Sequence, residues 1–164
     1  MTTTPRATAR SHSRGRQQMM VAGYAANYGV LCGRYIIAKG AFRDLMQRGC
    51  KPKMLLNHKG PEIGEWLTIA DDDRGLFVIG RLWNTPRACE AIALYREGCL
   101  TGLSLGPKGA AWDTMQCGIK ILTAVNRIDE ISLCGEPLDP AALIINFRAE
   151  NRLPGQAFLN GAGQ

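Results

Sequence analysis

The sequence predicts a small, mainly antiparallel β-barrel of about six or seven strands with flanking helices. Three observations carry this. Six or seven short runs rich in β-branched and aromatic residues are bounded by Gly, Pro and Asp turn signals. Only two or three segments have helical spacing. Strands and helices do not alternate regularly, which excludes a doubly wound parallel sheet. A chain of 164 residues with 46% hydrophobic and 21% charged content has the size and composition of one self-sufficient domain plus tails.

The elements follow in order. Met19 to Tyr28 reads as a first strand, and Tyr35 to Ile37 as a short second one. Ala41 to Arg48 has the length of two helical turns and is stopped by Gly49. Lys53 to His58 reads as a strand with Met54, Leu56 and His58 on one face. Gly64 to Ala70 and Gly75 to Trp83 flank Asp71-Asp72-Asp73-Arg74, a hairpin in which the aspartates are turn residues. Asn84-Thr85-Pro86 opens a helix, with Ala88, Ile92, Tyr95 and Cys99 as its apolar stripe and Gly98 as its stop. Leu100 to Leu105 is a strand, and Pro107 to Gly118 reads as a loop. Lys120 to Val125 and Ile128 to Cys134 are two further strands. Pro137 to Pro140 is a turn, and Ala141 to Ala149 has the composition of a short helix. The domain is expected over 19–150, between a basic tail, 1–18, and a loose Gly-rich tail, 151–164.

Charge is unevenly placed. Of the net +6, four positive charges come from Arg6, Arg10, Arg14 and Arg16, in a segment without acids. That composition reads as a solvated or cleavable tail, with a transit peptide or contact with an acidic partner as the other readings. Nucleic-acid binding has only this charge behind it. No run of eighteen apolar residues and no apolar leader core is present, so neither a membrane span nor a secretory signal is expected. The six cysteines form no C-x-x-C pair, so reduced thiols are expected and no thiolate metal site.

Chemistry concentrates at Gly102-Leu103-Ser104-Leu105-Gly106. A Gly-x-Ser-x-Gly elbow in an α/β-hydrolase is followed by its acid and then its histidine. Here both histidines, His12 and His58, precede Ser104, so that assignment fails. A serine hydroxyl needs a base, and histidine is the usual one. With His12 in the tail, His58 is the remaining candidate. Ser104 would point out of the core while Leu103 and Leu105 point in, and the two glycines would leave room for substrate backbone. Ser132 is the only other serine outside the tail. For a third, orienting group the segment Ile128 to Leu133 offers Asp129 and Glu130. Strand alternation puts Asp129 with Ile131 and Leu133 on one face and Glu130 with Ser132 on the other; if Ile131 and Leu133 face the core, Asp129 is buried and Glu130 shares the face open to a site.

These pieces, in this order, resemble the tailed-phage (caudovirus) prohead serine protease family, related to the herpesvirus assemblins. The resemblance runs from about Met19 to Leu143. It is carried by Val21-Ala22-Gly23-Tyr24-Ala25, Lys39-Gly40-Ala41-Phe42, Met54-Leu55-Leu56-Asn57-His58 and Pro61-Glu62-Ile63-Gly64-Glu65-Trp66. It continues with Asp73-Arg74-Gly75-Leu76, Thr85-Pro86-Arg87, Gly98 to Gly106, and Asp129-Glu130-Ile131-Ser132-Leu133. The resemblance implies a closed, assemblin-like β-barrel. It implies a serine endopeptidase with His58 as base, Ser104 as nucleophile and Glu130 as the acidic third member, needing no metal or organic cofactor. The implied substrates are scaffold protein, the scaffold-like segment of the major capsid protein, and the protease itself. The implied setting is the interior of the assembling prohead in the host cytoplasm, and assemblin relatives imply a homodimer. A catalytically silent module that holds scaffold or capsid protein is the alternative. Departures from the family pattern fall at Leu31-Cys32-Gly33-Arg34, at Pro107 and at Gly135 to Pro140. Gly106 and the segment after Ser104 are the candidate oxyanion donors.

Overall fold

The computed structural model describes residues 18–150. All of the expected tails except Gln18 lies outside the described residues, and with them the basic segment. The described chain forms nine strands and two helices: β1 (Gln18–Asn27), β2 (Leu31–Cys32), β3 (Tyr35–Ile37), α1 (Arg43–Arg48), β4 (Lys53–Leu56), β5 (Lys59–Asp71), β6 (Gly75–Leu82), α2 (Pro86–Arg96), β7 (Gly102–Thr114), β8 (Lys120–Cys134) and β9 (Ile144–Glu150).

All nine strands belong to one sheet, ordered β2-β3-β8-β4-β5-β6-β1-β9, with β7 on the other edge of β8. Strands β3 and β4 run parallel to β8; the other ladders are antiparallel. The sheet curls so that the start of β7 meets the chain entering β9. One isolated bridge, Gly102 to Leu143, is flanked by hydrogen bonds from Leu103 N to Ala142 O (2.8 Å) and from Ile144 N to Thr101 O (2.9 Å). Among the described residues no ladder joins β7 to β9. The expected closed barrel of six or seven strands is therefore replaced by an open, curled sheet of nine.

The core fills the concave side. Met54, Leu56, Ile63, Leu76, Leu103, Leu122, Ile131 and Leu133 are fully buried, joined by Phe42 at the start of α1. Each such side chain removed from water contributes roughly 1.5–3 kcal/mol. The tip of the β5–β6 hairpin keeps its aspartates for turn chemistry: Asp72 Oδ1 accepts from the N–H of Arg74 (2.8 Å) and of Gly75 (3.0 Å). Helix α2 is capped by Thr85, whose hydroxyl accepts from Ala88 N at 3.2 Å. Its buried face is Ala88 and Ala91, with Ile92 and Tyr95 packed at the margin. Cys99 lies beyond the helix and is exposed, so it is not part of the stripe.

Three further expectations fail for identifiable reasons. The segment 107–118 is not a loop: β7 runs on to Thr114, and the hairpin turns only at Met115 to Gly118. Pro107 sits at a register shift on a strand paired along one edge, where a missing N–H is tolerated. Lys120 to Cys134 is one continuous strand rather than two. The expected helix after Pro140 is strand β9, because Ile144, Ile145 and Phe147 favour the extended backbone that pairs with β1.

Candidate active site

His58 does not continue the strand before it. Strand β4 ends at Leu56, which pairs with Lys59, so Asn57 and His58 form a two-residue hairpin turn. Both have positive φ, 51° for Asn57 and 61° for His58, as a tight turn of this kind requires. Asn and His are among the non-glycine residues that accept that conformation most readily. Asn57 N donates to Leu133 O at 2.9 Å, tying the turn to β8. The expected shared face of Met54, Leu56 and His58 is thus corrected: Met54 and Leu56 are in the core and His58 is exposed.

Glu130 meets this imidazole. His58 Nδ1 lies 2.7 Å from Glu130 Oε1, and the hydroxyl of Ser132 donates to the other carboxylate oxygen, Oε2. The Glu130 side chain is 15% exposed and that of His58 45% exposed, so the pair lies at the rim of the fold. For the neutral imidazole beside an ionised carboxylate, this contact requires Nδ1–H as the donor and leaves Nε2 as an acceptor. On the same face of β8, burial, reinforced by the Glu130 charge, pushes the Cys134 thiol up to about 11.

Asp129 is elsewhere. Gly106 pairs with Glu130 and Pro107 with Ile128, so Asp129 is the extra residue of a bulge on β8. The bulge breaks the period-two pattern, and Asp129, expected in the core, instead pairs with Arg127 at 2.6 Å near the surface.

Ser104 lies on β7 directly opposite Ser132, with Gly106 opposite Glu130. Residues paired in this way share a face of the sheet, their Cβ atoms about 4.5–5.5 Å apart. Leu103 is fully buried, Leu105 packs against the core, and Ser104 between them is half-buried and faces the other way, as the alternation predicts. The structure joins His58 to Glu130 directly and brings Ser104 alongside through the β7–β8 register; among the described residues Ser104 makes no hydrogen bond to His58.

The two motif glycines serve packing rather than open space. A Cβ on Gly102 would lie 2.5 Å from Pro137 Cγ and 2.8 Å from Ala142 O. One on Gly106 would lie 2.8 Å from Glu130 Oε1. The second glycine is what admits the carboxylate beside β7. Sequence reasoning missed this, and it missed Ser132 as a partner of Glu130. The only available signal was the i, i+2 spacing of Glu130 and Ser132.

The chain belongs to the caudovirus prohead serine protease family, whose model matches residues 6–152. It is 34% identical over 121 residues to the "Prohead protease" of Enterobacteria phage HK97, covering 70% of this chain. That alignment spans 53% of the relative, so the chain corresponds to about half its length. Among solved structures, varicella-zoster virus protease superposes with a TM-score of 0.53 at 19% identity, over 80% of this chain and 64% of that one. A KSHV protease in complex with a hexapeptide phosphonate inhibitor gives 0.52 at 15% identity, over 78% and 64%. At these identities the two structures share the fold.

Proposed function

We propose that this domain is a serine endopeptidase of prohead maturation, using Ser104, His58 and Glu130. The observation that carries the reading is the contact of His58 Nδ1 with Glu130 Oε1, made on the face of β7–β8 that also holds Ser104. In this reading the Ser104 hydroxyl attacks a peptide carbonyl carbon as its proton passes to His58 Nε2. Glu130 holds the imidazole by Nδ1–H and stabilises the imidazolium. Collapse of the tetrahedral adduct breaks the C–N bond, and His58 returns the proton to the leaving amine. Water, deprotonated by the same imidazole, then releases the acyl group.

The substrates are scaffold protein or the scaffold-like segment of the capsid protein, and the chain itself, within the assembling prohead. The working unit is a homodimer by analogy with assemblins. The test is processing of the cognate capsid precursor by wild-type and variant proteins, read by mass spectrometry. Ser104→Ala and His58→Ala should each slow cleavage by about a thousandfold or more, and Glu130→Gln by less. Cleavage by Ser104→Ala at the wild-type rate would refute the assignment. A wild-type domain that binds the precursor and never cuts it would instead be a silent assembly module.

A further inference from the structure

We propose that Ser132 is a positioning residue that fixes the plane of the Glu130 carboxylate, an inference that rests on the Ser104–His58–Glu130 reading. A glutamate carboxylate rotates broadly about its last torsion, so a single hydrogen bond does not set its orientation. Here each oxygen has its own partner: Oε1 faces His58 Nδ1 at 2.7 Å, and Oε2 accepts the Ser132 hydroxyl. The first partner sits in an exposed turn. The second is fully buried and lies mid-strand, paired with Leu55 of β4 on one side and Ser104 of β7 on the other. The rigid anchor of the acid is therefore Ser132, and through the acid it sets the imidazole.

The same geometry separates the two serines. The Ser132 hydroxyl is sealed from solvent with its proton committed to Glu130, whereas Ser104 is half-buried. A buried hydroxyl needs a partner in any case, so a purely structural role is the competing account. The two accounts differ in whether the effect of Ser132 passes through Glu130.

The test uses the full chain and a biotinylated fluorophosphonate, with the inactivation rate constant and the probe affinity measured separately. Ser132→Ala should lower the maximal inactivation rate about tenfold, the scale of a hydrogen bond to a charged group, with probe affinity unchanged within about twofold. In a Glu130→Ala background the same substitution should change the rate by less than about twofold, because the acceptor through which Ser132 acts is gone. Ser132→Thr should recover most of the rate and Ser132→Val should not, although the two have the same shape. A wild-type rate for Ser132→Ala, equal losses in both backgrounds, or equal behaviour of Thr and Val would each overturn the proposal. Ser104→Ala, run in parallel, separates the failures. If it still reacts, the nucleophile assignment falls; if it is inert while Ser132 and Glu130 act additively, only the positioning role falls.

Discussion

Replacing Gly106 by Ala tests the packing of the site with one carbon. The added Cβ would stand 2.8 Å from Glu130 Oε1 and 3.3 Å from both Cδ and Cγ. To restore ordinary contact the carboxylate must retreat by roughly half an ångström, and the His58 contact at 2.7 Å then stretches to about 3.2 Å, past the range of a charge-assisted hydrogen bond. Losing a charge-assisted hydrogen bond of about 1.5–3 kcal/mol predicts a fall of roughly ten- to a hundredfold in kcat for peptide cleavage. Overpacking should cost about 1–3 kcal/mol of stability in urea unfolding. In a Glu130→Ala background the obstruction is gone. There Gly106→Ala should be neutral or stabilising by about 0.4–1 kcal/mol, because it restricts the unfolded chain. The reversal of sign is the diagnostic. An equal loss of stability in both backgrounds, or an unchanged kcat in the single variant, would refute the reasoning.

The hairpin turn that presents His58 should tolerate Asn57→Gly with little change in unfolding free energy. Asn57→Val, which forces a β-branched residue to positive φ, should cost about 1–2 kcal/mol and lower kcat with it. Thiol labelling with a disulfide reagent at pH 8 should modify the exposed Cys89, Cys99 and Cys117 first. Burial, helped by the Asp139 charge, raises the Cys32 thiol to about 11, and Cys134 is held equally high, leaving roughly one part in a thousand as thiolate. Fast labelling of either in the folded protein would contradict their placement. Thr85→Ala should destabilise the domain by about 1 kcal/mol through loss of the α2 cap, measured by thermal unfolding.

Local signals in the sequence predict those elements whose cause is local. Gly49 ends α1, Thr85-Pro86 opens α2, and the Asp72 turn joins β5 to β6, each through contacts within a few residues. Failures fall where distant pairing decides. Pro107 and Gly109 look like loop residues until β8 holds them in a strand. Ala141-Ala142 looks like a helix start until β1 recruits Ile144 onward. The bulge at Asp129 depends on the β7 register, and nothing in Ile128 to Leu133 announces it. For the site, period-two alternation placed Ser104 correctly opposite the core side. Motif and chain order made Ser104 and His58 the candidate nucleophile and base and left Asp129 and Glu130 open as the third group; the choice of Glu130 rests on the family resemblance. The seat of Glu130, made by Gly106 and Ser132, exists only once two strands are in register.

The most direct measurement is to react the full chain with the fluorophosphonate and locate the adduct by peptide mass spectrometry. One phosphonylated residue is expected, Ser104, with the adduct lost in His58→Ala and Ser132 left unmodified. An adduct on Ser132, or labelling of Ser104 at full rate without the His58 imidazole, would contradict the account.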